Sequence, residues 1–174
     1  PWWRYYWSKN IYPQSYLSEP MYITSISFHV AETSNFTFNN LEIHIKDKGN
    51  QTVLPESYSS IEDLFDGYTQ VFQGNVTFNV AGWYQIDLDT PYTYDGDGRL
   101  SIMVVDFEGG ATAEWDAGPN FTYRVRPGQP LNTFSFGRSN FDPYTNDGIY
   151  DELGVNNWYE MHYIRFGGEI GCSD

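Results

Sequence analysis

Cysteine is almost missing from this chain. The single Cys172 lies close to the C-terminal end with no second thiol to pair with, so no disulfide framework can be written. Basic residues are scarce as well: 9 Lys and Arg stand against 23 Asp and Glu, for a net charge of −14 and a pI near 4.3. Nucleic acid and anionic lipid both attract proteins mainly through Lys and Arg, so neither is expected as a partner. No run reaches the roughly 18 apolar residues that span a bilayer, and even Ile102 to Val105 is bounded by Ser101 and Asp106. Membrane insertion is therefore not expected. No charged n-region or cleavage site precedes Pro1-Trp2-Trp3-Arg4-Tyr5-Tyr6-Trp7, and the chain is expected to be mature or excised, and soluble.

Catalytic signatures are equally thin. There is no Gly-x-Ser-x-Gly elbow, no phosphate-binding Gly-rich loop, and no His-x-His or His-x-x-x-His pair. Of the three histidines, His29 and His44 fall on the polar faces of alternating segments and are expected in solvent. His162 shares a face with Ile164 and Phe166 and is expected to be partly buried. Glu114-Trp115-Asp116 resembles the start of a Glu-x-Asp-x-x-Glu glycosidase strand, but Pro119 occupies the place of the final Glu. The carboxylate pair that sugar hydrolysis requires is thus incomplete. The reading is of a protein without catalysis.

What the chain has in quantity is aromatic side chains, 15 Tyr, 12 Phe and 6 Trp, within a 40% hydrophobic composition. A chain of 174 residues buries roughly 70% of its unfolded surface, so it can build a core without disulfides or metals. Apolar and polar residues alternate in Ile26-Phe28-Val30, Leu41-Ile43-Ile45, Val76-Phe78-Val80 and Tyr84-Ile86-Leu88, the pattern of strands with one face on a core. Leu100 to Val105 is apolar at nearly every position and predicts a central strand covered on both sides. Turn signals recur every 8 to 15 residues or so, among them Asp47-Lys48-Gly49-Asn50 and a hairpin at Asp95-Gly96-Asp97-Gly98. Only Ser59 to Asp66 reads as helix, with Ser59 and Glu62 as a capping box. A long acidic loop is expected over 140–157, followed by a last strand from Trp158 to Phe166. The expected architecture is one all-β antiparallel sandwich over 1–174 with one short helix.

Four sequons, at Asn35, Asn50, Asn75 and Asn120, are candidate glycosylation sites, although Asn and Thr are also common in turns and strands. No cofactor is required by this reading. Calcium is the candidate cation, with oxygen ligands from Asp95 and Asp97, or from Asp142, Asp147, Asp151 and Glu152 in the acidic loop. Trp2, Trp3, Tyr5 and Trp7 form an aromatic arm or edge strand over 1–10, whose alternating residues could complete the chain's own sheet or pair with a neighbouring molecule's edge. Trp115 is a candidate for stacking on a sugar, while Trp83 and Trp158 are expected to pack in the core.

The succession Gln14-Ser15-Tyr16-Leu17-Ser18-Glu19, Ile23 to Phe28, Phe38 to Ile43, Thr69 to Val76, Gly82 to Tyr92 and Tyr94-Asp95-Gly96 resembles the adhesin-like jelly-roll modules of large secreted Bacteroidetes proteins, often exported by the type IX route. The likeness runs from about Tyr12 to Gly168. It implies a jelly-roll sandwich outside the cell or at its surface, without assigned catalysis, adhesive or structural in role. The implied partners are further copies of itself, in a surface fibre or sheath, or other surface proteins. A carbohydrate-binding module, with glycans as partners, is the alternative.

Overall fold

Period-two alternation makes strands with one apolar face, and two such sets must close on each other to keep that surface from water. The computed structural model describes residues 5–17, 19–32, 35–54, 58–106, 120–121, 123–125, 134–139, 160–162 and 164–170. These residues form strands β1 (Tyr5–Tyr12), β2 (Met21–Glu32), β3 (Phe36–Gly49), β4 (Thr69–Phe78), β5 (Gly82–Tyr94) and β6 (Arg99–Asp106). Short strands follow: β7 (Asn120–Phe121), β8 (Tyr123–Val125), β9 (Phe134–Ser139), β10 (Glu160–His162) and β11 (Ile164–Ile170). Helix α1 spans Ile61–Phe65.

The strands build two principal antiparallel sheets. The first has the order β4-β3-β6-β1-β9; the second is β11-β2-β5, with β7 beside β2; β8 and β10 pair as a separate ribbon. The all-β antiparallel sandwich with one short helix is thus borne out. Its core lies between the sheets, where Ile23, Ile26, Phe28 and Val30 of β2 and Ile86 and Leu88 of β5 meet Leu41, Ile43 and Ile45 of β3 and Leu100 and Ile102 of β6. Each such side chain contributes about 1.5–3 kcal/mol through its burial. As its apolar run requires, β6 is central, with β3 on one side and β1 on the other.

Of the two places open to the aromatic arm, its described residues take the one in this chain's own sheet: β1 is an interior strand, not an edge, pairing with β6 through Trp7↔Val105 and with β9 through Trp7↔Gly137. Three local expectations change. The turn at Asp95–Gly98 is not a hairpin: β5 and β6 belong to different sheets, and the chain crosses between them there. Gly98, at φ 87°, is required at that crossing, since a Cβ would stand 2.6 Å from the Cα of Gly49. Val80 does not continue the buried stripe of β4 and is 63% exposed. The strand stops at Phe78, and the chain turns toward the second sheet around the Tyr84 hydroxyl, which accepts from the Asn79 and Val80 N–H groups at 2.6 Å each. The expected last strand is two, β10 and β11, in different sheets. Among the described residues no helix is long and apolar enough to cross a membrane.

Candidate functional site

Strands β1, β6 and β3 lie side by side, and side-chain alternation gives each an inner and an outer stripe. Tyr12, Leu100, Ile102, Ile43 and Ile45 point into the sandwich core. The opposite stripe holds Trp7 and Lys9 of β1, Ser101, Met103 and Val105 of β6, and His44, Lys46 and Lys48 of β3. Register sets Lys9 opposite Met103, which faces His44, and sets Ser101 opposite Lys46, so Lys9 and Lys46 lie diagonally across β6. Over this outer face passes the connection from β3 to β4. Its Tyr58 and Leu64 form a second buried cluster with Trp7, Met103 and Val105, bordered by Ile61, Phe65 and Tyr68.

Helix α1 fixes that cover. Ser60 is its N-cap, accepting from the Asp63 N–H at 3.1 Å, while the Asp63 carboxylate accepts from the Ser59 N–H at 2.8 Å and the Ser59 hydroxyl at 3.1 Å. The capping box therefore sits one residue later than the Ser59 and Glu62 pair expected. These bonds from Ser59 hold the Asp63 carboxyl below its ordinary pKa. Past the helix, the Lys46 ammonium donates to the Asp66 carbonyl at 2.7 Å and stands 3.4 Å from its carboxylate. Gly67 turns the chain beside Lys46 at φ 68°, a left-handed conformation that strains any residue with a Cβ.

Between the sheet and its cover lies a recess of about 230 Å³. Lys9, Lys46, Lys48, Tyr58 and Tyr68 line it together with Asp63 and Asp66. The chain has three lysines in all, and every one of them is in this lining. Lys9 is 2% exposed. Its amine donates to the Leu64 carbonyl and lies 4.0 Å from the ring centre of Tyr58, 4.6 Å from that of Tyr68 and 5.9 Å from that of Trp7. Tyr58 meets Trp7 edge-on at 5.5 Å, and the Tyr68 hydroxyl is 2.6 Å from Ser101 Oγ.

Burial dominates the electrostatics. Desolvation, followed by repulsion from Lys48 and Lys46, pushes the Lys9 amine down to about 6, with Asp63 and Asp66 opposing. The ring faces also favour the charged form, by about 0.5–2 kcal/mol for a cation so placed. Lys48 is lowered too, by burial and then by Lys46, and burial raises the Tyr68 phenol. Burial thus favours the uncharged amine at Lys9, below two further lysines. Lys46 and Lys48 can bind an anionic group, Asp63 and Asp66 offset their charge, and Lys9 can offer a nucleophilic nitrogen.

The residues singled out from sequence fall apart in space. Trp7 is 3% exposed, in the buried cluster under the cover, so it is unavailable for docking on another molecule. Tyr5 lies in β1, where its backbone pairs with Ser139. Trp2, Trp3, Trp115, Glu114, Asp116 and Trp158 lie outside the described residues, as do Asp142, Asp147, Asp151 and Glu152. Asp95 and Asp97 close the crossing turn, with the Asp97 N–H donating to Asp95 Oδ1 at 2.8 Å. Among the described residues no three His, Cys, Asp or Glu side chains gather as metal ligands would. Asn35, Asn50 and Asn75 are exposed, as glycan attachment needs, and Asn120 is in β7 beside β2.

Two histidine expectations fail. His44 is 5% exposed, with Nε2 2.9 Å from Glu42 Oε2 and its ring edge-on to Phe65, because the connection carrying α1 covers what reads as a polar face. His29 is half-buried, edge-on to Trp83 at 5.0 Å. Trp83 is not in the core but half-buried outside it, with the Arg165 guanidinium 3.8 Å from its ring centre. His162 is buried more fully than expected, and desolvation lowers it to about 4. Lys9 escaped sequence reasoning, although it stands in phase with Trp7 and Ile11 on an otherwise apolar stripe. No family model, no curated protein and no solved structure matches the chain.

Proposed function

We propose that this chain is a non-catalytic recognition module, an adhesive or structural jelly-roll sandwich working outside the cell or at its surface, and that its binding site is the lysine recess. The observation carrying this reading is that a chain of net charge −14 brings all three of its lysines to one recess. Scattered lysines would serve solubility; converging ones, backed by tyrosine rings, suit an acidic group on a partner. Repeated crossing between sheets at β1 to β2, β2 to β3, β4 to β5 and β5 to β6 supports the jelly-roll connectivity. Exposed sequons at Asn35, Asn50 and Asn75 support the extracellular setting.

A surface glycan carrying carboxylate or sulfate is the carbohydrate-binding version of the same reading, favoured by the convergence of the lysines. Self-association belongs to Trp2 and Trp3, since Trp7 is committed to the interior. Binding to arrays of acidic and neutral glycans tests the reading. Retention on acidic glycans that falls tenfold or more in a Lys46→Gln/Lys48→Gln variant supports it, and equal binding of the variant removes the recess as the site.

A further inference from the structure

We propose that the recess is a covalent capture site: the Lys9 amine condenses reversibly with a small aldehyde that carries a carboxylate or phosphate, and Lys46 and Lys48 hold the anionic end. The inference rests on the recess being a ligand site and adds the bond that Lys9 forms there.

Geometry carries it. Lys9 Nζ is anchored on one side by the Leu64 carbonyl and hemmed by the rings of Tyr58 and Tyr68, so its remaining freedom is toward the recess that it lines. An amine in this position has been stripped of water, and water competes for the lone pair that attacks a carbonyl carbon. Around it in the lining are Lys46 and Lys48 from β3 and Asp63 and Asp66 from the cover. Asp63 is tied to Ser59 and Asp66 to Lys46. The volume of about 230 Å³ lies below the range of roughly 300–1,000 Å³ that takes drug-sized ligands, which limits the guest to a few carbons and one anionic group.

The chemistry balances without an added reagent. The nitrogen lone pair forms a C–N bond to the aldehyde carbon while the C=O π pair moves to oxygen. That oxygen leaves as water with the two amine protons, and a C=N bond remains. Taking up one proton gives the imine an N–H for the Leu64 carbonyl in place of the one lost. Hydrolysis returns the aldehyde unchanged, so this is binding and not turnover.

Glyoxylate is the probe, with propanal as the uncharged aldehyde and glycolate as an anion without a carbonyl. Each aldehyde is incubated with the intact protein at pH 7 and trapped with cyanoborohydride, and the sites are mapped by peptide mass. The expected result is labelling of Lys9 at least tenfold faster than of Lys46 or Lys48. In Lys46→Gln/Lys48→Gln the glyoxylate-to-propanal ratio at Lys9 should fall at least fivefold. Labelling of Lys46 or Lys48 ahead of Lys9, or none at Lys9, overturns the capture, and an unchanged ratio overturns the anionic guest. Glycolate, followed by the side-chain NMR signals of the recess, separates the two ideas: glycolate binding without labelling of Lys9 rejects the imine and keeps the ligand site, whereas neither binding nor labelling rejects both. The mapping uses the unmodified sequence, so it does not depend on a variant folding.

Discussion

The two faces of β1, β6 and β3 share a backbone and differ in everything else. The inner face of β3 and β6 is aliphatic, with Ile43, Ile45 and Ile102 at most 1% exposed, and it packs against a second sheet of matching stripes. The outer face is aromatic and basic, covered by a connection with one short helix, and it keeps a cavity. Sheet against sheet fills space with side chains alone. An irregular cover brings backbone carbonyls such as that of Leu64 over the sheet, and a buried carbonyl needs a donor. Lys9 supplies one, which explains how an amine comes to stand in line with Trp7 and Ile11.

If the inner face holds the fold and the outer face holds the site, breaking each should look different. Ile43→Ala should lose about 2–5 kcal/mol in urea unfolding, as expected for a fully buried branched side chain. Leu64→Ala should lose less globally, raise hydrogen exchange over the β3 to β4 connection, and return Lys9 toward an ordinary lysine pKa. Equal global losses with no effect on Lys9 would deny that the cover is a separate layer.

Acid should sharpen the contrast through His162, which lies on the sandwich side near Phe28. Its pKa drops from 6.5 unfolded to about 4 folded, so the unfolded chain binds the extra proton between those values. Stability is complete above pH 6.5 and is lost as pH falls toward 4, by about 3 kcal/mol in all. In His162→Gln that limb of the stability profile should be flat.

Lys9 gives a second window, higher in pH. Its folded value near 6 against 10.5 unfolded means that its burial costs least above pH 10.5 and most once pH has fallen through 6. Lys9→Met keeps the bulk and removes the proton, and it should be more stable than the parent at pH 6 by at least about 1 kcal/mol, the gap closing toward pH 10. A constant gap in thermal or urea unfolding across that range would contradict a titrating buried amine. The smallest effect is expected at the helix cap, where Ser60→Ala should cost about 1 kcal/mol and loosen the cover without altering the inner core.

Much of the architecture was readable from alternation. The buried stripes of β2, β3 and β5 follow the period of two, and the unbroken apolar run of β6 implied cover on both faces. Partner choice was not readable, because a turn such as Asp95–Gly98 serves a hairpin or a sheet-to-sheet crossing equally well, and distant strands decide which. For the same reason the place of β1 stayed open between its own sheet and a neighbouring molecule: its partners β6 and β9 begin about ninety and one hundred and thirty residues further on. The site was harder still. Alternation says that Lys46 and His44 oppose Ile43 and Ile45, but not that residues 58–68 return to cover them. Lys9 carried a signal, a basic residue in register with Trp7 and Ile11, whose meaning depends on that cover.

Lysine side-chain NMR across pH tests the account most directly, since three lysines give three Cε signals. Burial of Lys9 predicts that one of them titrates near pH 6, and that this one is absent in Lys9→Met. Three signals all moving near pH 10.5 would place Lys9 in water and remove the recess.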